Sequence, residues 1–416
     1  MGTTDVGDES LIAAVRNGDA KAVAALLEAG ADPDAVDGDG TPVLHLAVDA
    51  FDLTVVELLM SSARLDSVSA DGRTPLLRAI DRGAYDITAA LIGGGAQLWH
   101  KDAEGRDALA LARYWHETGA VAELRRRSGM SESVGSRTVQ GEFGGSCAEL
   151  SLGGLTVRTG HTAILTELEP KYGIRPSFDE LMSRALAEPD HDHAVWWATT
   201  SVLQQRHDPA VRAAAAALRH RPDPLERYFG AQVLRLNLFD ESKDAPFDGL
   251  LADLFLPWVA REPDPRVTWI LVAGLSDAMD PRAEESLPAF TRHPDGRIRQ
   301  LAVSGLRSAV GAGNPEALAA VLARTRDEDA AVRQAACAAL ALAPAHSAAP
   351  ADALAGCLAD GDERVRVTAA AQLALRDDPR GEEILRGLEP ADEGSPYYWL
   401  LDEVCRHRQG GSDGRL

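Results

Sequence analysis

Aromatic residues make up only 5% of this 416-residue chain, so its interior must be built from Ala, Leu and Val. Such a composition suits thin layers of small-residue helices better than one large core. Lysine is nearly missing: Lys21, Lys101, Lys171 and Lys243 are the only four among 42 basic residues. Cysteine is equally scarce, and Cys147, Cys337, Cys357 and Cys405 stand far apart with no C-x-x-C pair. That excludes a zinc knuckle and a disulfide framework and leaves four small buried hydrophobes. No run of about 18 apolar residues occurs, and the opening MGTTDVGDES lacks the basic-then-apolar order of a targeting segment. Positive charge is in deficit, since 64 acidic residues against 42 basic ones give a formal −22. A surface of that sign repels phosphates and anionic lipid, so neither nucleic acid nor a membrane is expected as a partner, whereas a protein or peptide, basic ones included, is. The resulting expectation is a soluble, cytoplasmic protein.

What the chain does contain is self-similarity. Gly40, Gly72 and Gly105 lie 32 and 33 residues apart, and each ends a short polar turn: DGDG, SADG or DAEG. A helical stretch follows each (TPVLHLAVDA, RTPLLRAIDR, RDALALARYW), then a second (LTVVELLMSS, YDITAALIGG, AVAELRRR), with AKAVAALLEAGADPDA as the matching second stretch of a first unit. Leu26, Leu58 and Leu91 are expected at one place in that second helix. The unit is therefore turn, helix, helix, and it recurs because one copy cannot bury its apolar face alone. GRTPLLRA resembles the G-x-T-P-L-H-x-A motif of ankyrin repeats, with Leu77 where His is usual, and LLEAGADPDAVDGDG is similar to the family's repeat end. GTPVLHLA keeps Leu44, His45 and Ala47 but moves Thr-Pro by one position.

The resemblance covers residues 8–127. It implies stacked antiparallel helix pairs with turns projecting at right angles, closed by atypical terminal units. Thr74 reads as a helix N-cap, and Pro42 and Pro75 as first-turn residues whose missing N–H leaves no helical bond unmade. His45 is expected to bond turn backbone, and Arg125, Arg126 and Arg127 to form a solvated cap opposing a helix dipole.

From 128 to 175 the helical period stops. Gly, Thr and Val are enriched, and the breaks at Gly144-Gly145 and Gly153-Gly154 predict short strands or hairpins. Helices resume at 176 with a different punctuation, Asp-x-x-[Val/Ile]-Arg, in DGRIR (295–299), DAAVR (329–333) and DERVR (362–366), with the related DPLER at Asp223 and DPRVT at Asp264. DPAVR at Asp208 lies only 15 residues before Asp223 and is expected to open a second helix. Asp is a good N-cap, and Pro at the next position suits a helix start. These units resemble Ala-rich bacterial HEAT repeats over 176–408. That implies a ladder of hydrogen bonds and charge pairs between successive units from Asp295, Arg299, Asp329, Arg333, Asp362 and Arg366, weakened at Thr268. The predicted architecture is mainly α: an ankyrin-like solenoid over 1–127, a β-containing junction over 128–175, a HEAT-like solenoid over 176–408 and a disordered tail over 409–416.

Reactive constellations are thin. DHDH (Asp190 to His193) is the nearest approach to a metal cluster, but it reads as a polar turn capping the helix from Ala194. GEFGGS lacks the lysine and spacing of a phosphate loop. HEAT-like di-iron hydroxylases carry repeated His-Glu steps, and this chain has only His116-Glu117. HEAT-like glycosylases need a cationic groove, which the net charge opposes, and no G-x-S-x-G elbow occurs. No cofactor or metal is expected. The function implied is a non-catalytic protein-interaction scaffold or adaptor. The alternatives are an immunity or inhibitor protein that neutralises a toxin, and a lyase-like or maturation enzyme using the HEAT solenoid. Ankyrin-like folds usually make contacts from turn tips and first helices, which points to Asp37, Asp39, Ser69, Asp71, Arg73, Lys101 and Glu104. Trp196, Trp197, Trp258 and Trp269 are the aromatic candidates.

Overall fold

A computed structural model describes residues 3–141, 145–239, 248–344, 348–388 and 395–413. It divides into two compact units, Met1–Val211 and Arg212–Leu416.

The first unit opens with four helix pairs: α1 (Thr3–Asn17) and α2 (Ala20–Glu28), α3 (Val43–Asp49) and α4 (Leu53–Met60), α5 (Pro75–Asp81) and α6 (Tyr85–Gly93), α7 (Ala108–Thr118) and α8 (Ala120–Ser128). The first helices stack in sequence, α1 on α3, α3 on α5, α5 on α7, and the second helices do likewise from α2 to α6. Asp52, Thr74 and Asp107 cap their helices through side-chain oxygens, each satisfying an N–H that has no partner within the helix. Pro75 takes the first helical position as expected, but Pro42 is itself the cap residue and its helix starts at Val43, because Thr-Pro is displaced by one there. The caps Asp19, Asp52 and Ala84 also fix the register of the second helices. They bring Leu26, Leu59 and Leu91 into correspondence, so the expected Leu58 is corrected by one: Leu59 and Leu91 are fully buried, while Leu58 packs at the margin.

Three strands follow, β1 (Gly135–Gln140), β2 (Ser146–Leu152) and β3 (Leu155–Arg158), in an antiparallel meander with β2 central. Gly153 and Gly154 both have positive φ (59° and 80°), the backbone that a two-residue hairpin matching the strand twist requires. The sheet joins the repeats where the Arg158 N–H donates to the Arg82 carbonyl at 2.8 Å. Gly83 makes this possible, since a Cβ there would overlap Arg158 O and its φ is +64°. Next come α9 (His161–Lys171), α10 (Phe178–Leu186) and α11 (Ala194–Gln204), with α9 packed on α7 and α11 on α9. One apolar core runs from Leu11 in α1 through Leu44, Leu76 and Leu111 to Ile164 in α9. The helices α10 and α11, assigned by sequence to the HEAT-like series, therefore lie in the unit that holds the first repeats.

The helix α12 (Pro209–Ala217) spans the division, and its first turn is capped by Asp208 (Ala210 N–H to Oδ1, 2.8 Å). The second unit continues with α13 (Pro224–Leu236), α14 (Asp248–Val259), α15 (Pro265–Asp277), α16 (Pro281–Phe290), α17 (Gly296–Gly305), α18 (Arg307–Gly311), α19 (Pro315–Arg324), α20 (Ala330–Leu340), α21 (Ala348–Cys357), α22 (Glu363–Ala374), α23 (Glu382–Arg386) and α24 (Tyr398–Asp413). The row α13, α15, α17, α20, α22 stacks in order. Because α24 continues from an apolar face at Leu401 and Val404, residues 409–413 of the expected tail are helical, and 414–416 lie outside the described residues.

A periodic polar tie accompanies that row. The Nη1 of Arg227, Arg299, Arg333 and Arg366 each donates to two carbonyls of the turn preceding its own helix, at 2.8–3.1 Å. In the first three, Nε and Nη2 reach the next turn as a fork onto Glu262 (3.0 and 2.8 Å), Asp327 (3.0 and 2.7 Å) and Asp360 (2.7 and 2.8 Å). The acid in each rung stands two residues before the helix cap, which corrects the expected pairing. Asp264, Asp329 and Asp362 cap their own helices and donate their N–H to those rung acids at 2.9–3.0 Å. At the anticipated weak point, Thr268 turns its hydroxyl back to the Asp264 carbonyl (3.0 Å). The facing turn carries His293 where the others carry an acid, and its Nδ1 accepts the Asp295 N–H at 3.1 Å. Among the described residues, no guanidinium–carboxylate bond joins those two turns.

Candidate functional site

The three ankyrin-like turns share one construction. The N–H of Asp37, Ser69 and Asp102 donates to the carbonyl of Thr41, Arg73 and Arg106, and their carbonyls accept from Gly40, Gly72 and Gly105, all at 2.9–3.0 Å. Their side chains close the loop from inside. Asp37 accepts from the Asp39 and Thr41 N–H groups and from Arg16 at 2.6 Å, with the Thr41 bond the largest influence holding its carboxyl below the usual range. Asp102 accepts from Glu104 N, Arg106 N and Arg106 Nε, and the Ser69 hydroxyl bonds Asp71 and the Arg73 carbonyl. Asp37 and Ser69 are thus buried turn braces. Asp39, Asp71, Lys101 and Glu104 are exposed on the tips, beside Val36 and Val68, which hold equivalent places on adjacent tips and are 54% and 50% exposed. Sequence reasoning missed this pair of valines. The signal was available as an apolar residue immediately before the brace in DAVDGDG and DSVSADG.

Arg73 leaves the tip and runs inward to Asp81 (2.8 Å). Asp81 also accepts two bonds from Arg127 (2.8 Å each) and one from Trp115 Nε1 (3.0 Å). Burial alone would push its carboxyl up, but Arg127 and Arg73 hold it below the usual carboxylate range. Arg127 further donates to Glu123 (2.6 Å) and lies over the Trp115 ring at 4.6 Å, while Arg126 forks onto Glu123 (2.7 Å each). The expected solvated arginine cap is therefore corrected for Arg127 alone, which Asp81 and the buried Glu123 of its own helix draw in, while Arg125 and Arg126 stay exposed. His45 bonds the Arg73 carbonyl through Nε2 at 3.1 Å, as its motif implied. His161 stacks on Trp115 at 4.3 Å, and burial holds both imidazoles down at about 4, so they are neutral.

The four tryptophans separate. Trp196 is buried, with Nε1 on the Glu188 carbonyl (2.9 Å), and Trp258 is buried edge-on to Phe255, with Nε1 on Glu262 (3.1 Å). Both are packing anchors. Trp269 is half-buried. Trp197 is 46% exposed, at the rim of a cavity of about 360 Å³ between α6, α9 and α11. Another cavity of about 370 Å³ sits in the second unit between α13 and the end of α14, where Arg221 and Arg227 are already paired with Glu226 and Glu262.

In the DHDH turn, His193 caps α11 by accepting the Val195 N–H (3.2 Å), and its Nε2 meets Thr159 Oγ1 at 3.2 Å. Asp190 accepts from Ser146 Oγ at 2.8 Å, so the segment ties the sheet to α11. Asp190, His191 and Asp192 do present ligand atoms within 4.8 Å of one another, on a surface turn whose bonds are explained by this tie. Residues 142–144 of GEFGGS lie outside the described residues. Cys337 and Cys357, distant in sequence, meet as free thiols in hydrogen-bond contact.

No helix among the described residues is long and apolar enough to cross a membrane. No curated protein matches the chain. The family model for ankyrin repeats matches residues 10–125 in three copies, and that for HEAT repeats matches residues 252–341. Stacked helix pairs braced by turns in the first unit and by capped helices with arginine forks in the second agree with both matches: the chain contains ankyrin repeats in its N-terminal part and HEAT repeats in its C-terminal part.

Proposed function

We propose that this protein is a non-catalytic adaptor that docks a protein or peptide partner on the tips of its ankyrin turns. Repeats of both kinds generally serve as protein-interaction scaffolds. The observation that carries the reading is the pairing of Val36 and Val68 on adjacent tips, half-exposed and apolar, amid the exposed charges of Asp39, Asp71, Lys101 and Glu104. An apolar centre with a polar rim is the usual anatomy of a docking patch. The braces behind the tips hold the valines out without cost to the fold, since Asp37 and Ser69 satisfy the turn backbone whichever side chain precedes them. The test is affinity capture from cells that make the protein, comparing wild type with Val36→Asp plus Val68→Asp. Loss of a captured protein with an unchanged circular dichroism spectrum is the expected result, and equal capture by both forms would overturn the reading.

A further inference from the structure

The cavity between α6, α9 and α11 is lined in part by polar side chains, one of which has no hydrogen-bond partner. On α11, Trp197, Ser201 and Gln204 recur at helical spacing and all line it. Ser201 Oγ is buried without a hydrogen-bond partner, an arrangement that costs free energy unless something fills it. Across the cavity, Glu167 of α9 meets the Tyr85 hydroxyl of α6. Burial is the main influence on Glu167 and raises its carboxyl pKa, with Lys171 and the Tyr85 bond pulling the other way. Lys171 stands on the rim one turn from Glu167, yet it makes no ion pair with it within 4 Å among the described contacts. A half-buried carboxyl, an orphan hydroxyl and a half-exposed indole thus face one space, whose rim also carries the Lys171 ammonium.

We propose that this cavity binds a guanidinium group, stacked on the Trp197 indole and donating hydrogen bonds to the Glu167 carboxylate and to Ser201 Oγ. The acceptors lie on two helices around a flat aromatic wall. A planar cation with five N–H donors can reach both at once, whereas an ammonium offers a compact charge that is more strongly hydrated and harder to strip. An indole face adds attraction to a cation held within about 6 Å of the ring. At about 360 Å³ the space also admits the aliphatic stem that carries such a group. The source is either an arginine side chain of a partner or a free arginine-like molecule. The site uses other helices than the ankyrin tips, so it stands or falls apart from them.

The experiment is titration of the full chain, carrying 15N-labelled tryptophan, with arginine amide, lysine amide, citrulline amide and the peptide acetyl-Gly-Arg-Gly-amide. The reporter is the Trp197 indole N–H signal, assigned by its loss in Trp197→Phe. The expected result is a saturable shift with arginine amide, weaker by on the order of tenfold for citrulline amide, which keeps the shape and lacks the charge. Glu167→Gln, which can keep a bond to Tyr85, should weaken arginine binding by on the order of tenfold, and Ser201→Ala by about threefold. A tighter peptide identifies a partner's side chain as the source, and a tighter free amide identifies a small molecule. No saturable shift, equal binding of citrulline amide or lysine amide, or unchanged affinity in a folded Glu167→Gln variant would each overturn the assignment.

Discussion

The two units solve the same problem, holding thin helical layers together, with opposite polar strategies. In the HEAT unit one rung is repeated: an arginine forks onto an acid in the next turn, and that acid also receives the N–H of the next cap. In the ankyrin unit the main tie is singular. Asp81 gathers Arg73, Arg127 and Trp115 from three different segments into one buried point. A distributed tie can lose one member and leave its neighbours intact, but a convergent one cannot. The largest effect is therefore expected at Asp81. Asp81→Ala strands the half-buried Arg127 fork and the single bond from Arg73, and breaking a buried charge network of this kind costs about 3–5 kcal/mol. Amide exchange should show protection falling across α5 to α9 while α17 to α22 stay protected. Equal loss in both regions, or none, would break the contrast between convergent and distributed ties.

That contrast also decides what could be read from the residues alone. The repeated features were legible: turn glycines, caps, the strand region and the thinning of the ladder at Thr268 all announce themselves by recurrence. The register error at Leu58 arose because an apolar period tolerates a shift that the Asp52 cap bond does not, and the one at Pro42 because Thr-Pro is displaced by one residue there. The rung acids were hidden because they precede the motif by two residues and include Glu262 as well as Asp327 and Asp360. Asp81 was illegible for the opposite reason, since nothing repeats it and its partner Arg127 lies 46 residues away. Of the candidate site residues, those on tips were placed by the family pattern, but sequence cannot separate a brace such as Asp37 from a free neighbour such as Asp39, because only the folded turn spends the oxygen of the first. The cavity of Glu167 and Ser201 joins three helices and left no local signature.

Acid sharpens the comparison from another side, with a smaller effect per group. His45 and His161 are neutral in the folded ankyrin unit, their pKa values held down at about 4 by burial, against about 6.5 in an unfolded chain. The unfolded state therefore binds the extra proton first. Stability contributed by neutrality is complete above pH 6.5, falls as pH drops through the window to 4, and levels off below it. Each imidazole contributes on the order of 3 kcal/mol over that window. The HEAT rungs respond in a lower range, because Asp327 and Asp360 are held below the ordinary carboxylate value and lose their stabilisation only as pH falls through and below that value. Exchange protection measured between pH 7 and 4.5 should decline in α3 to α9 before it declines in α17 to α22. His45→Gln should remove part of that decline, and an order reversed between the two units would contradict the assignment of neutral imidazoles.

The smallest effect tests whether the ladder's missing rung is a paired change. Thr268 and His293 occupy the two ends where an arginine and an acid would otherwise meet, so neither substitution alone can restore the rung. Thr268→Arg places a guanidinium in a buried position with no carboxylate to receive it, and His293→Asp removes the nitrogen that accepts the Asp295 N–H while supplying an oxygen that can replace it. Together they recreate the geometry of Arg299 and Asp327. The double variant should therefore be more stable than the sum of the single changes by about 1 kcal/mol, measured as the coupling in a double-mutant cycle of urea unfolding. A coupling near zero would mean that the turns at 264 and 295 are spaced differently from the others, so that the rung is absent for want of geometry and the distributed strategy is interrupted in the backbone itself.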